Sequence, residues 1–136
     1  MARLDPINKR RNVILYLIKF KARDDRAYIK LGITTRSVKY RFHNYEKDFD
    51  WSEIRILRHY NLSKSRAEMI ETIIHNSKKL DKFKAHHQYS QYLKDLIGWG
   101  YTEIYLANSI DNIYTALDYL LKLSIIELQE IVSNID

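Results

Sequence analysis

Two apolar runs rich in β-branched and aromatic residues lie close together near the start of the chain, and they constrain its fold most. Residues 13–20 and residues 28–33 are separated only by a charged stretch, residues 21–26. Such runs favour strands, and a short polar connection between them predicts two neighbouring strands joined by a loop. We therefore expect a sheet that contains this pair.

The next segments alternate between helical and strand patterns. Apolar residues recur at helical spacing over residues 36–45, residues 51–60 alternate as in a strand, and helical spacing returns over residues 65–77. Ser65 and Glu68 have the spacing of a capping box, which predicts the start of that second helix.

The last third of the chain predicts a helical extension. Residues 78–91 are polar and ambiguous, and residues 101–106 predict a short strand. Residues 110–132 are apolar at helical spacing, and Ser124 and Glu127 predict a break into two helices. The order β-β-α-β-α followed by helices predicts an α/β (α+β) fold with a small mixed or antiparallel three-stranded central sheet flanked by helices.

Length and composition indicate a single domain spanning residues 1–136. The 136 residues are 46% hydrophobic and include only three Gly and one Pro, so no linker is evident. We expect a core at about residues 12–107 and a helical extension at about residues 108–136. The chain has no cysteine, which excludes disulfides and cysteine-ligated metals. The apolar run at residues 13–18, closed by Lys19, is too short for a membrane span or signal peptide, so we expect a cytoplasmic protein with no membrane partner.

Charge is distributed unevenly along the chain. Residues 1–100 contain 22 Lys and Arg against 11 Asp and Glu, whereas residues 101–136 contain one lysine and six acidic residues. A basic segment of this kind suits a polyanionic partner, because Lys and Arg that neutralise phosphates release counterions. Ordinary solubilising charge is the alternative.

Several short motifs occur in a characteristic order. Leu15 and Tyr16 lie on the first predicted strand, Tyr-Ile-Lys-Leu-Gly at residues 28–32 on the second, Arg41 in the following helix and Glu71 in the next. This order resembles the signature of the GIY-YIG nuclease superfamily, which has a GIY-like strand, a Y-x-G-like strand, a downstream Arg and a Glu in a later helix. The resemblance covers about half of the chain.

The motifs also depart from the usual signature. The first motif keeps Tyr16 but has no glycine, and Lys30 stands two residues before Gly32. With Thr34, the second motif is similar to a K-x-G-x-T branch common in phage and bacterial genomes, so a bacterial cell or phage-infected host is the expected setting. Tyr45 stands where many members carry a histidine, and no residue matches the Asn that often follows the Glu. Residues 101–105 resemble a late T-E-x-F/Y segment of the same branch.

The resemblance implies a metal-dependent endonuclease acting on DNA. Glu71 would bind Mg²⁺, or another divalent cation such as Mn²⁺, and Arg41 would hold a phosphate oxygen. Tyr16 would orient or deprotonate the attacking water, with Lys30 supplying the positive charge that a phenol needs to act as a base. Tyr45, four residues after Arg41 and on the same helical face, would help or only pack.

Basic residues interleave with aromatic ones over residues 39–60 and 78–92, as in surfaces that track phosphates and stack bases. An amphipathic surface beside a core gives the same pattern. DNA is the expected partner, with RNA not excluded. The candidate nucleic-acid contacts are Arg36, Lys39, Lys82, Lys84, His86 and His87.

The histidines do not predict a zinc site. His86 and His87 are adjacent and therefore point to different sides of a regular element, and neither has a carboxylate at helical ligand spacing. His43, His59 and His75 are scattered along the chain.

Two other classes of function stay open. A non-catalytic nucleic-acid-binding module, such as a phage regulator, would explain the missing glycine and Asn. A protein-interaction module would use the apolar tail as a docking surface. For the nuclease, the acidic tail would complete the core, shield the basic face or mediate homodimerisation, which suits an enzyme that cuts both strands.

Overall fold

The computed structural model of the protein describes residues 12–21, 25–38, 54–85 and 103–135. Four antiparallel strands in these ranges form one sheet in the order β3-β1-β2-β4. They are β1 (Asn12–Lys21), β2 (Ala27–Thr34), β3 (Arg55–Ser63) and β4 (Ile104–Leu106). The predicted α/β class is confirmed.

The predicted pair of strands forms an antiparallel hairpin at the centre of the sheet. Tyr16 lies opposite Gly32, and Ile18 lies opposite Lys30. Side chains alternate between the two faces of a sheet, so Tyr16 and Lys30 lie on the same face.

The sheet has a fourth strand beyond the three that were predicted for it. The short strand expected within residues 101–106 forms at Ile104–Leu106 and pairs with β2. Three residues are too few to show a period of their own, so only pairing with a distant strand brings this segment into the sheet. Within the described residues the third strand spans Arg55–Ser63, and it passes the predicted end at residue 60 because its pairing with β1 extends to Ser63 opposite Asn12.

Four helices are described beside the sheet. They are α1 (Lys64–His75), α2 (Lys78–Asp81), α3 (Ile110–Leu121) and α4 (Ile125–Ser133), with a 3₁₀ turn at Ala107–Ser109 before α3. The α2 turn occupies part of the ambiguous segment. Of the helix predicted at residues 36–45, only residues 36–38 lie within the described ranges.

The predicted capping box at Ser65 is wrong. The N-cap of α1 is Ser63, whose hydroxyl accepts a hydrogen bond from the Arg66 backbone N–H at 3.3 Å. Because β3 continues to Ser63, the helix follows the strand directly and Ser65 already lies in its first turn.

The predicted break at Ser124 is confirmed. Its hydroxyl accepts from the Glu127 N–H at 3.1 Å, and its own N–H donates to the Glu127 carboxylate at 3.0 Å. This reciprocal capping box begins α4 and allows the tail to turn back on the domain.

The core lies between one face of the sheet and helices α1, α3 and α4. Its buried members include Leu15, Leu17 and Leu31 from the sheet, Ala67, Ile70 and Ile74 from α1, and Ile113, Leu117, Leu120 and Leu128 from the tail. Burial of each leucine or isoleucine contributes about 1.5–3 kcal/mol. The tail therefore completes the core, one of the three roles open to it.

Polar contacts fasten the tail to the rest of the domain. Arg58 on β3 forms an ion pair with Asp118 at 2.6 Å and stacks over the Tyr114 ring at 4.0 Å from its centroid. Arg66 donates to the Leu121 carbonyl oxygen at 2.9 Å. Among the described helices, none is long and apolar enough to cross a membrane.

Candidate metal centre and active site

Glu71 lies at the end of the second turn of α1, beside the edge of the sheet where β4 pairs with β2. Its side chain is half-buried, and within the described ranges no residue donates a hydrogen bond to its carboxylate. Burial, followed by the negative charge of Glu103, raises the pKa of Glu71 to about 7, while Lys30 opposes the shift. A partly desolvated carboxylate gains a compensating charge when it binds a cation.

His75 lies one helical turn after Glu71 and is held at both ring nitrogens. Its Nε2 lies 3.3 Å from the Leu31 carbonyl oxygen, and its Nδ1 lies 2.7 Å from the Tyr105 hydroxyl. A carbonyl oxygen only accepts, so Nε2 carries the proton and Nδ1 accepts from Tyr105. Burial lowers the pKa of His75 to about 4, so the imidazole is neutral at pH 7.

Glu103 and Lys30 meet because β4 pairs with β2. Lys30 lies opposite Ile104, the residue next to Glu103, and its ammonium is 3.3 Å from the Glu103 carboxylate. The Lys30 side chain is only 7% exposed, whereas the Glu103 side chain is 36% exposed. The pair is thus sheltered on the lysine side and open to solvent on the carboxylate side.

Glu71, His75 and Glu103 form one cluster. One ligand atom from each lies within 4.8 Å of the other two. The two carboxylates fit a hard divalent cation such as Mg²⁺, which takes oxygen ligands and keeps several waters. His75 would have to give up an existing hydrogen bond to bind a metal, so its present contacts suit a role in positioning the cluster.

Tyr16 packs directly against Gly32 on the same face of the sheet as Lys30. A Cβ atom at residue 32 would lie 2.5 Å from the Tyr16 hydroxyl oxygen and 2.7 Å from its Cζ. Glycine is therefore required by the close approach of the phenol, not by an unusual backbone angle. Tyr16 is 1% exposed, so its hydroxyl lies in the interior.

A polar cleft adjoins the cluster at the end of α1. It has a volume of about 240 Å³ and is lined by His75, Asn76, Ser77, Lys78, Asp81 and Lys84. The Lys84 ammonium lies 3.7 Å from the Asp81 carboxylate, and its side chain is 16% exposed. This cleft joins the cluster to a surface with two lysines.

The structure brings some of the predicted site residues together. Glu71 lies in the cluster, and Lys30 contacts it through the ion pair with Glu103. Tyr16 is not brought to Glu71, because its neighbours Leu15 and Leu17 face α1 and Tyr16 therefore lies on the opposite face of the sheet. Arg41 and Tyr45 lie outside the described residues, so their predicted roles stay predictions.

The predicted nucleic-acid contacts are spread over the chain. Lys84 lines the cleft, Lys82 has its ammonium 5.1 Å from the centroid of the Phe83 ring, and Arg36 is exposed just beyond β2. The other three, Lys39, His86 and His87, lie outside the described residues.

His75 and Glu103 are not among the site residues predicted from the sequence. The first had a detectable signal, because Glu71 and His75 are four residues apart on a predicted helix and therefore share a face. Glu103 belongs to the T-E-x-F/Y segment, yet nothing local indicates that it meets Glu71. Its position depends on the pairing of β4 with β2.

Comparison with known proteins adds no assignment: no family model matches the sequence, and no match was found among curated proteins or solved structures.

Proposed function

We propose that the protein is a metal-dependent endonuclease that hydrolyses DNA phosphodiester bonds. One observation carries the proposal: the half-buried Glu71 carboxylate, which has no donor in the described part of the chain, meets a second carboxylate and a buried ammonium. Carboxylates that bind a cation, next to a lysine that can bind phosphate, supply the charges that phosphodiester hydrolysis needs.

Each residue has a distinct part in the proposed reaction. Glu71 would hold the divalent cation, with Glu103 offering a second carboxylate, and Lys30 supplies positive charge at the reacting phosphate. When bound, Mg²⁺ would polarise a phosphoryl oxygen and lower the pKa of a coordinated water. Tyr16 orients the attacking water, and Arg41 holds a non-bridging oxygen, as the resemblance to GIY-YIG nucleases implies.

The order of elements supports the same proposal. A hairpin that carries Tyr16 and Lys30 is followed by a strand on its other side and then by a helix that carries Glu71. The resemblance implies this order of the two motif strands and the helix with the Glu, and the helix expected to carry Arg41 lies outside the described residues. His75, fixed by Tyr105 and the Leu31 carbonyl, steadies α1 against the sheet next to the carboxylates.

The positive charge of residues 1–100 supports a nucleic acid as the partner, with DNA as the proposed substrate. The polar cleft beside the cluster continues the site toward Lys78 and Lys84. RNA offers the same phosphodiester group, so a parallel RNA substrate belongs in the test. We propose homodimerisation through the helical tail, where Tyr119 on α3 and Ile126 on α4 are exposed, and light scattering at working concentration tests it.

The first experiment is a nicking assay on supercoiled plasmid with Mg²⁺, with EDTA as the metal control. Glu71→Gln keeps the shape of the side chain but removes its charge, and we expect nicking to fall by at least about a hundredfold. Glu68→Gln is the matched control, since Glu68 is on the same helix with its side chain 56% exposed. Equal nicking by both variants would contradict the role of Glu71.

A non-catalytic nucleic-acid-binding module is the second candidate. The burial of Tyr16 favours it, because a phenol that is 1% exposed has little access to a water or a substrate. Plasmid that stays intact with Mg²⁺ and Mn²⁺, together with DNA binding in a gel-shift assay, would support the binding module.

A further inference from the structure

The Lys30 ammonium is buried and directed at the carboxylate cluster. Its side chain is 7% exposed, and its Nζ lies 3.3 Å from Glu103 Oε2. A buried ammonium is costly without a partner, so Glu103 stabilises Lys30 as much as Lys30 stabilises Glu103. Any other ligand of Glu103 must compete with this ion pair.

Carboxyl groups outnumber the ammonium at this site. Glu71 and Glu103 offer two carboxyl groups against the single ammonium of Lys30, and the imidazole of His75 has a partner at each nitrogen. A divalent cation between the carboxylates would neutralise both and leave the ammonium as a surplus buried charge. That surplus needs a new anion, and the phosphate of a nucleic acid is an anion that the proposed function brings to the site.

We propose that Lys30 is a resident cation of this site. It pairs with Glu103 when no divalent ion is bound, the ion displaces it by binding between Glu71 and Glu103, and the released ammonium binds a phosphate oxygen. Glu103 is then a metal ligand, and Lys30 links the metal to the substrate. This inference rests on the proposed function for the identity of the substrate, but its metal-binding half does not depend on cleavage.

Metal and phosphate should therefore bind cooperatively. Each favours the arrangement in which Lys30 has left Glu103, and such coupling is reciprocal by thermodynamic necessity. Removing the ammonium should strengthen metal binding in the absence of phosphate, since a competing cation is lost. Removing the ammonium should also weaken the coupling between metal binding and phosphate binding.

The test measures Mn²⁺ binding by the EPR signal of the free ion, using the full chain after EDTA treatment and dialysis. We expect Lys30→Gln to bind Mn²⁺ about tenfold more tightly than the unaltered protein, and Glu103→Gln about tenfold more weakly, since a neighbouring unit charge shifts such equilibria by this order. Lys19→Gln is the matched control, because Lys19 is a half-buried strand lysine on the opposite face of the sheet.

Thymidine 3′,5′-bisphosphate serves as the phosphate probe, since it has no internucleotide bond to cleave. It should raise the Mn²⁺ affinity of the unaltered protein about fivefold or more, with a smaller effect on Lys30→Gln. Unchanged or weaker Mn²⁺ binding by Lys30→Gln, or unchanged binding by Glu103→Gln, would overturn the inference.

A thermal melt first establishes that each variant folds. If Lys30→Gln lacks a cooperative transition, the inference is tested with two other variants. Glu103→Gln must then bind Mn²⁺ more weakly than the unaltered protein, and Lys30→Arg must bind Mn²⁺ with the same affinity as the unaltered protein. If Mn²⁺ binding follows the expected pattern but plasmid is not nicked, the proposed nuclease function is refuted and the inference about Lys30 is not. Mg²⁺-dependent nicking with no effect of Lys30→Gln on Mn²⁺ affinity would refute the resident cation alone.

Discussion

Glu71→Gln should stabilise the protein in the absence of metal, although Glu71 is the central residue of the proposed site. Burial raises the pKa of Glu71 from 4.5 to about 7, which means that folding penalises its charged form. A neutral amide of the same shape carries no such penalty. The gain in the free energy of unfolding of Glu71→Gln should therefore appear only at pH values where Glu71 is ionised in the unfolded chain.

The pH dependence has a definite sign. Below about pH 4.5 the carboxyl is protonated in both the folded and the unfolded protein, and the penalty is absent. Between pH 4.5 and 7 the folded protein binds more protons than the unfolded chain, so the stability of the unaltered protein falls relative to Glu71→Gln as pH rises. Above about pH 7 the difference in stability between Glu71→Gln and the unaltered protein is constant.

A pKa shift of this size corresponds to about 3 kcal/mol. Because Glu71 is only half-buried, solvent screening reduces the expected gain to about 1–2 kcal/mol at pH 8. For a chain of this length such a gain raises the melting temperature by about 4–8 °C.

The assay is urea denaturation with EDTA at pH 8 and pH 5, followed by fluorescence. Glu68→Gln controls for loss of a carboxylate on the same helix and should change stability little, since its ion pair with Lys64 is exposed. Millimolar Mg²⁺ or Mn²⁺ should stabilise the unaltered protein but not Glu71→Gln. Equal stability of the two proteins at pH 8, or a gain that is the same at pH 5, would refute the desolvated carboxylate.

Further predictions concern packing, capping and charge. Gly32→Ala should lower the free energy of unfolding by about 1–3 kcal/mol, because the new methyl group meets the Tyr16 phenol. An unchanged midpoint of urea denaturation would contradict that close approach. Ser124→Ala and Ser63→Ala should each lower the free energy of unfolding by about 1 kcal/mol, because each removes a helix cap, whereas Ser65→Ala should leave it nearly unchanged. An equal loss for Ser65→Ala and Ser63→Ala would support the capping box at Ser65 instead. DNA affinity, measured by fluorescence anisotropy, should fall steeply with salt concentration, and a salt-independent affinity would favour the protein-interaction module.

Local patterns in the sequence were enough to predict the central hairpin, the helix that carries Glu71 and the break at Ser124. Strand propensity, helical periodicity and capping act over a few residues, so a short window contains their signal. A short window is also the reason that the capping box was predicted at Ser65. The spacing from Ser65 to Glu68 fits the motif, but β3 extends to Ser63, so the helix begins directly after Ser63.

The sequence by itself also determined the charge of the chain and the absence of cysteine chemistry, because both are sums over residues. Only the tertiary structure decided which side chains meet. Glu103 reaches Lys30 across 73 residues because β4 pairs with β2, and it reaches Glu71 because α1 packs beside that edge. Pairing between distant segments depends on hydrogen bonds and packing across the whole domain, for which no local period exists, so the cluster of two carboxylates and an ammonium emerges only on folding.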